Sequence, residues 1–170
     1  MENQGKGLEI SVEIGYNQDI RQAQNVPVRG GESMAAIKEL IRTETDGTLS
    51  FGDYELNQKT KLSDFNHGGN LYKVKTFHEI TRLERNDLFV YESVPGTSVH
   101  HFSVTESGAE FVVEGPDNVQ ITVGLEDATE YMVSVEGENT GIVKTNLSGK
   151  LPLSVDLGEK GSVNVKIAKV

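Results

Sequence analysis

Apolar residues fall on every second position through the last third of the chain, and this alternation narrows the choice of fold more than any other feature. The positions are Val119, Ile121 and Val123, then Tyr131, Val133 and Val135, then Leu151, Leu153, Val155 and Leu157, then Val163, Val165 and Ile167. A period of two sends successive side chains to opposite faces of a sheet, so one face packs while the other meets water. Turn-forming clusters separate the runs at Gly137 to Gly141, Asn146 to Gly149 and Gly158 to Gly161. A meander with one apolar face needs a second layer to cover it.

Earlier in the chain the same pattern comes in shorter pieces. Leu8, Ile10, Val12, Ile14 and Tyr16 alternate with Glu9, Ser11, Glu13 and Gly15, which predicts a strand with one apolar and one charged face. A polar connector containing Pro27 follows and ends at Gly30-Gly31, a hinge by composition. Residues 1–33 therefore divide off as an extension, and residues 34–170 as a β-sandwich domain. The extension has three readings: the first strand of the domain, a strand that pairs with a neighbouring subunit, or an addition from an alternative start.

From Ile37 to Glu44 the pattern predicts a strand, with a short helix capped by Ser33 as the alternative. Asp46-Gly47 is a hairpin signal, with Leu49 and Phe51 inward after it. Asn57 to Asn70 reads as a polar connector pinned by Leu62 and Phe65. Strands then resume at Leu71–Phe77, His78–Arg85, Leu88–Val94, Ser98–Thr105 and Ala109–Glu114, with turns at Asn86-Asp87 and Pro95-Gly96. Ten or more short strands predict an all-β fold, a sandwich or jelly roll with a strand-bearing N-terminal extension.

Composition limits the partners. A net charge of -10 argues against nucleic acid, because phosphate would be repelled, and it disfavours anionic lipid. With no cysteine, disulfide scaffolds, thiolate metal sites and cysteine nucleophiles are excluded. With no tryptophan and 6% aromatics, the core must be mostly aliphatic. No apolar run approaches the ~18 residues of a membrane span. Met1 to Glu13 lacks the basic start and apolar run of a signal peptide, so the cytoplasm is the default expectation.

The candidate chemistry is sparse. Asp53 and Glu55 would share one strand face, but carboxylates are too abundant for a pair to select itself as a glycosidase site. His100 and His101 are adjacent, so on a strand they point apart and cannot readily chelate one ion. The acidic turns around Asp117 and Glu126 offer oxygens to calcium without an EF-hand spacing. Gly30-Gly31 lacks the strand and helix that frame a phosphate loop. Tyr72, Phe89 and Tyr91 are candidate glycan-stacking residues, with core packing as the competing use. These readings assign no catalytic residue, no metal and no cofactor.

Residues 71–97 resemble a group of small clostridial proteins that carry the label endosialidase, and the resemblance runs from near Met34 to the end. The ladder from Tyr131 to Leu157 is similar to terminal β-sandwich modules of bacterial polysaccharide-degrading enzymes. The label implies a hydrolase; the modules imply an accessory that accompanies catalysis. The aspartate box of sialidases does not fit here: Asp46 and Gly47 are adjacent, and no tryptophan follows. Arg42, Arg82 and Arg85 have no tyrosine tied to them in sequence. The leading expectation is a non-catalytic, self-associating β-sandwich subunit. Leu8, Ile10, Val12, Ile14 and Tyr16 would fill alternate pockets of a neighbour. A carbohydrate-binding module comes second and a hydrolase third.

Overall fold

In the computed structural model, residues 35–158 and 160–170 are described. The predicted strand Leu8–Tyr16 and the hinge Gly30-Gly31 lie outside these residues. Thirteen strands are present among them: β1 Ile41–Thr43, β2 Leu49–Phe51, β3 Thr60–His67, β4 Asn70–Phe77, β5 Ile80–Arg85, β6 Leu88–Val94 and β7 Ser98–Thr105, then β8 Gly108–Glu114, β9 Val119–Gly124, β10 Glu130–Val135, β11 Glu138–Lys144, β12 Lys150–Val155 and β13 Ser162–Lys169. All neighbours pair antiparallel. One sheet has the order β12-β9-β6-β5-β4-β3 and the other β11-β10-β13-β8-β7-β2-β1. The described residues form an all-β sandwich, and Ala35–Val170 is one unit.

The alternating ladder supplies much of the inner surface. Val119, Ile121, Val123, Tyr131, Val133, Leu151, Val155, Leu157, Val163, Val165 and Ile167 are all buried. The four runs do not make one meander, however. β9 and β12 lie in one sheet, and β10, β11 and β13 in the other. Alternation fixes which face a residue takes but not which sheet its strand joins. The hairpin between β10 and β11 turns at Glu136-Gly137, with φ of 53° and 81°. Two positive φ values in a two-residue loop match the right-handed twist of the strands, so the turn is tighter than the stretch from Gly137 to Gly141 suggested.

Tyr91 of β6 reaches across the core. Its ring centroid lies 5.3 Å from Phe51, 6.0 Å from Phe102 and 5.8 Å from Phe111, each close to perpendicular and each on the opposite sheet. Its hydroxyl bonds to the Thr97 hydroxyl at 2.9 Å, and Ser93 joins the same oxygen at 2.8 Å. The Thr97 amide donates to Thr81 Oγ1 at 3.0 Å, and that hydroxyl donates back to the Thr97 carbonyl at 2.7 Å. Thr76 must then donate to Thr81, and it accepts the Asp53 amide at 2.9 Å. Every member of this buried chain has a partner, which is the condition for polar groups in a core.

Three sequence expectations need correction. Ile37 to Glu44 is neither a continuous strand nor a helix. A turn precedes β1: the Leu40 amide donates to the Ile37 carbonyl at 2.9 Å, and Leu40 has φ 75°. The turn lets Ile37 bury completely. The segment read as a polar connector contains β3. A bulge between Leu62 and Phe65, with Asp64 at φ 60°, spaces the inward residues by three and hides the period of two. Asp53 and Glu55 are not on a strand face at all; they follow β2 in a loop. There Lys38 Nζ lies 3.8 Å from Asp53 and 2.5 Å from Glu55, so the two carboxylates share one lysine.

Two glycines separate backbone strain from steric exclusion. A Cβ on Gly108, at φ 144°, would lie 1.8 Å from the Ile167 carbonyl oxygen, whereas one on Gly137, at φ 81°, meets nothing within 4 Å. Gly137→Ala should cost about 1–2 kcal/mol, the strain of a left-handed alanine. Gly108→Ala should cost more than ~3 kcal/mol, because strands β8 and β13 must part. Urea midpoints of the two variants check this, and equal losses would refute it.

Candidate functional site

Both the flanks and the ends of a sandwich are places where a ligand can reach the space between sheets. The two flanks of this one differ. On one flank β1 and β3 meet, and Thr43 Oγ1 bonds to His67 Nδ1 at 2.8 Å. On the other, β11 and β12 leave a groove of about 900 Å³. Val135 and Thr140 line one wall, Ser154 and Val155 the other, and Val163 lies between them. Asp117, Glu136, Glu138 and Asp156 make its rim acidic, with Lys160 as a counter-charge.

The four edge strands are unequally protected. β1 has three residues, β3 carries its bulge, and β12 contains Pro152, which has no amide to offer. β11 has seven residues and no proline. A bulge at Thr140 disturbs its pairing, but Gly141 to Lys144 pair regularly with β10. Ile142 in that regular part is 53% exposed.

At one end of the sandwich the loops carry a second cleft, about 160 Å³ in volume. Tyr72 of β4 and Arg85 of β5 are register partners, so their side chains leave the same face. Two residues further along, the partners Val74 and Leu83 are fully buried, so that face looks into the sandwich. Leu49, Phe102 and Val104 form the wall on the opposite sheet. The Gly47–Thr48 lip is held by Asp46. Its carboxylate accepts the Thr48 amide at 3.0 Å and the Thr48 hydroxyl at 2.6 Å, and lies 3.1 Å from His101 Nδ1. The Thr48 hydroxyl and amide bonds, then the His101 charge, hold the Asp46 carboxyl below its usual range.

The structure separates the three predicted stacking residues. Tyr91 is fully buried, and its ring faces are spent on Phe51, Phe102 and Phe111, so it presents nothing to a glycan. This corrects its candidacy. A bulge explains the misreading: β6 places Val90 between the partners of Leu83 and Glu84, so Val90 and Tyr91 both turn inward. Phe89 is half-buried and already carries cations, with Arg82 Cζ 5.1 Å and Lys150 Nζ 4.7 Å from its centroid. A sugar would have to displace one of them. Phe89 and Tyr72 both line the end cleft, and of the two only the Tyr72 ring carries no cation among the described residues; it packs at 5.7 Å from His67, nearly perpendicular to it.

Compared with known proteins, the chain matches no family model, no curated protein and no solved structure.

Sequence reading also missed a cluster at the far end. Glu114 is buried with one oxygen 3.2 Å from His100 Nε2 and the other accepting the Tyr54 hydroxyl at 3.2 Å. The three residues are separated in sequence: the β7–β8 pairing brings His100 to Glu114, and the β2–β7 pairing brings the loop that carries Tyr54. His101 points outward, away from His100, and no group of three or more metal-ligating side chains forms among the described residues. Burial, and then the Glu114 carboxylate, push the Tyr54 phenol up to about 12.

An unfolded tyrosine ionises near 10. The unfolded chain therefore releases this proton first, and stability should fall as pH rises from about 10 toward 12. Tyr54→Phe should flatten that part of the profile. Denaturant midpoints at pH 9, 10 and 11 check it, and an equally steep decline in the variant would count against it.

Proposed function

We propose that this chain is a non-catalytic β-sandwich subunit that assembles by strand addition, the donor being the alternating segment Leu8–Tyr16 of a second copy. The open groove between β11 and β12 carries this reading. An extended segment laid along β11 gains main-chain hydrogen bonds, and alternate side chains enter the space between the sheets. Leu8, Ile10 and Val12 have the spacing and size to cover Val135, Val155 and Val163. Glu9, Ser11 and Glu13 would then face water. The connector through Gly30-Gly31 gives the donor reach, and donation from copy to copy makes a head-to-tail contact that closes as a ring or runs on as a filament.

Charge opposes this contact at long range. The groove rim holds Asp117, Glu136, Glu138 and Asp156, and the donor brings Glu9 and Glu13. The Debye length falls from about 10 Å at 0.1 M salt to about 3 Å at 1 M. Assembly driven by backbone pairing and apolar burial should therefore strengthen with salt, the reverse of an interface built on opposite charges.

Light scattering after size exclusion tests the reading. Full-length protein should show a concentration-dependent mass above the monomer that increases between 50 mM and 1 M salt. Residues 34–170 should run as a folded monomer, since the sandwich has its own core. Ile142→Lys, which places a charge on the regular part of the β11 edge, should lower the assembled fraction severalfold. Unchanged mass on removal of residues 1–33 would refute the donor.

A further inference from the structure

Among the described residues, one cation in the end cleft has no carboxylate to answer it. Arg42 pairs with Glu39 and Glu44, and Arg82 with Glu84 and Glu92. Arg85 forms no such pair among the described residues, in a chain with 26 acidic residues. Its position is set by register opposite Tyr72, at the exposed end of β5 on the same face as the buried Leu83. Its neighbours in the cleft are the Tyr72 phenol, the polar Thr48 and Ser103, and the apolar Leu49, Phe102 and Val104. His67 packs on the Tyr72 ring and is itself tied to Thr43, so this side of the cleft is pre-arranged.

Size and charge together narrow the ligand. The cleft, at about 160 Å³, has the room of about five waters at ~30 Å³ each. An apolar cavity of about 150 Å³ accommodates benzene in another protein, so one six-membered ring is the scale. A single guanidinium suits a monoanion, and its planar fork matches a carboxylate in two parallel hydrogen bonds.

We propose that the end cleft binds a small carboxylate carried on a single ring. Arg85 holds the carboxylate, the Tyr72 hydroxyl is placed to donate beside it, and the ring lies against Leu49, Phe102 and Val104. This site is independent of the assembly groove, which lies on the β11–β12 flank and shares none of these residues.

The test is an NMR titration of the full-length protein with three probes: benzoate, benzyl alcohol as a neutral molecule of similar shape, and inorganic phosphate. Benzoate should give saturable shifts centred on Leu49, His67, Tyr72, Arg85, Phe102 and Val104. Benzyl alcohol should bind at least tenfold more weakly, and phosphate should not saturate. Arg85→Leu should weaken benzoate at least tenfold, with Arg85→Lys between, because a charge remains without the fork. The probe comparison uses unaltered protein, so it stands even if a variant folds poorly. Absence of saturable benzoate shifts, or equal binding of benzoate and benzyl alcohol, overturns the proposal. So would undiminished benzoate binding by a folded Arg85→Leu variant, and tighter binding of phosphate than of benzoate would overturn the ring assignment.

Discussion

Tyr91 is the point at which the two sheets are fastened. Its ring closes against Phe51, Phe102 and Phe111 of the opposite sheet, while its hydroxyl enters the chain through Thr97, Thr81 and Thr76 to the loop after β2. Edge-to-face pairs contribute about 0.5–1.5 kcal/mol each beyond area burial, and removing a buried aromatic ring typically costs about 3–5 kcal/mol. The apolar body and polar tip act together. The ring sets the separation of the sheets, and the hydroxyl draws the turn around Pro95-Gly96 onto the end of the core. Burial pushes its phenol strongly upward, so it stays a neutral hydrogen-bonding group.

A sandwich pinned at its middle still has four free edges, and these are treated differently. Where β1 and β3 meet, a threonine and a histidine join the sheets. Where β11 and β12 meet, nothing comparable joins the described residues, and valines floor the groove. Proline on β12 leaves that edge short of a donor, so β11 is the better rail for an incoming strand. The same asymmetry keeps the two candidate surfaces apart: the flank has open backbone and acidic side chains, whereas the end cleft has paired backbone and a cation.

How much of this was legible depends on local pattern. The faces of β9, β10, β12 and β13 could be read because each inward position is apolar and no bulge intervenes. The strand β3 could not, because its bulge shifts Phe65 out of phase with Leu62. The stretch from Leu88 to Val94 offers two overlapping alternations, one through Val90 and one through Phe89 and Tyr91, and only the bulge on β6 decides which side chains turn inward. Of the candidate site residues, Tyr72 could be picked as an aromatic near the surface. Arg85 could not be told from Arg42 or Arg82. What distinguishes it is that no carboxylate pairs with it among the described residues, and sequence carries no record of which strands become neighbours. The cluster of Tyr54, His100 and Glu114 was hidden for the same reason.

Charge then bears differently on the two surfaces. A net charge of -10 opposes any contact that brings acidic rims together, most strongly at low salt. An interface on the acidic flank must therefore draw its free energy from main-chain pairing and apolar cover, both of which need an extended partner with alternating side chains. The same field also repels small anions from most of the surface. It makes a site for one dependent on a local cation that no carboxylate has already neutralised. Arg85 meets that condition among the described residues, and its register beside Tyr72 places the charge at the mouth of the end cleft.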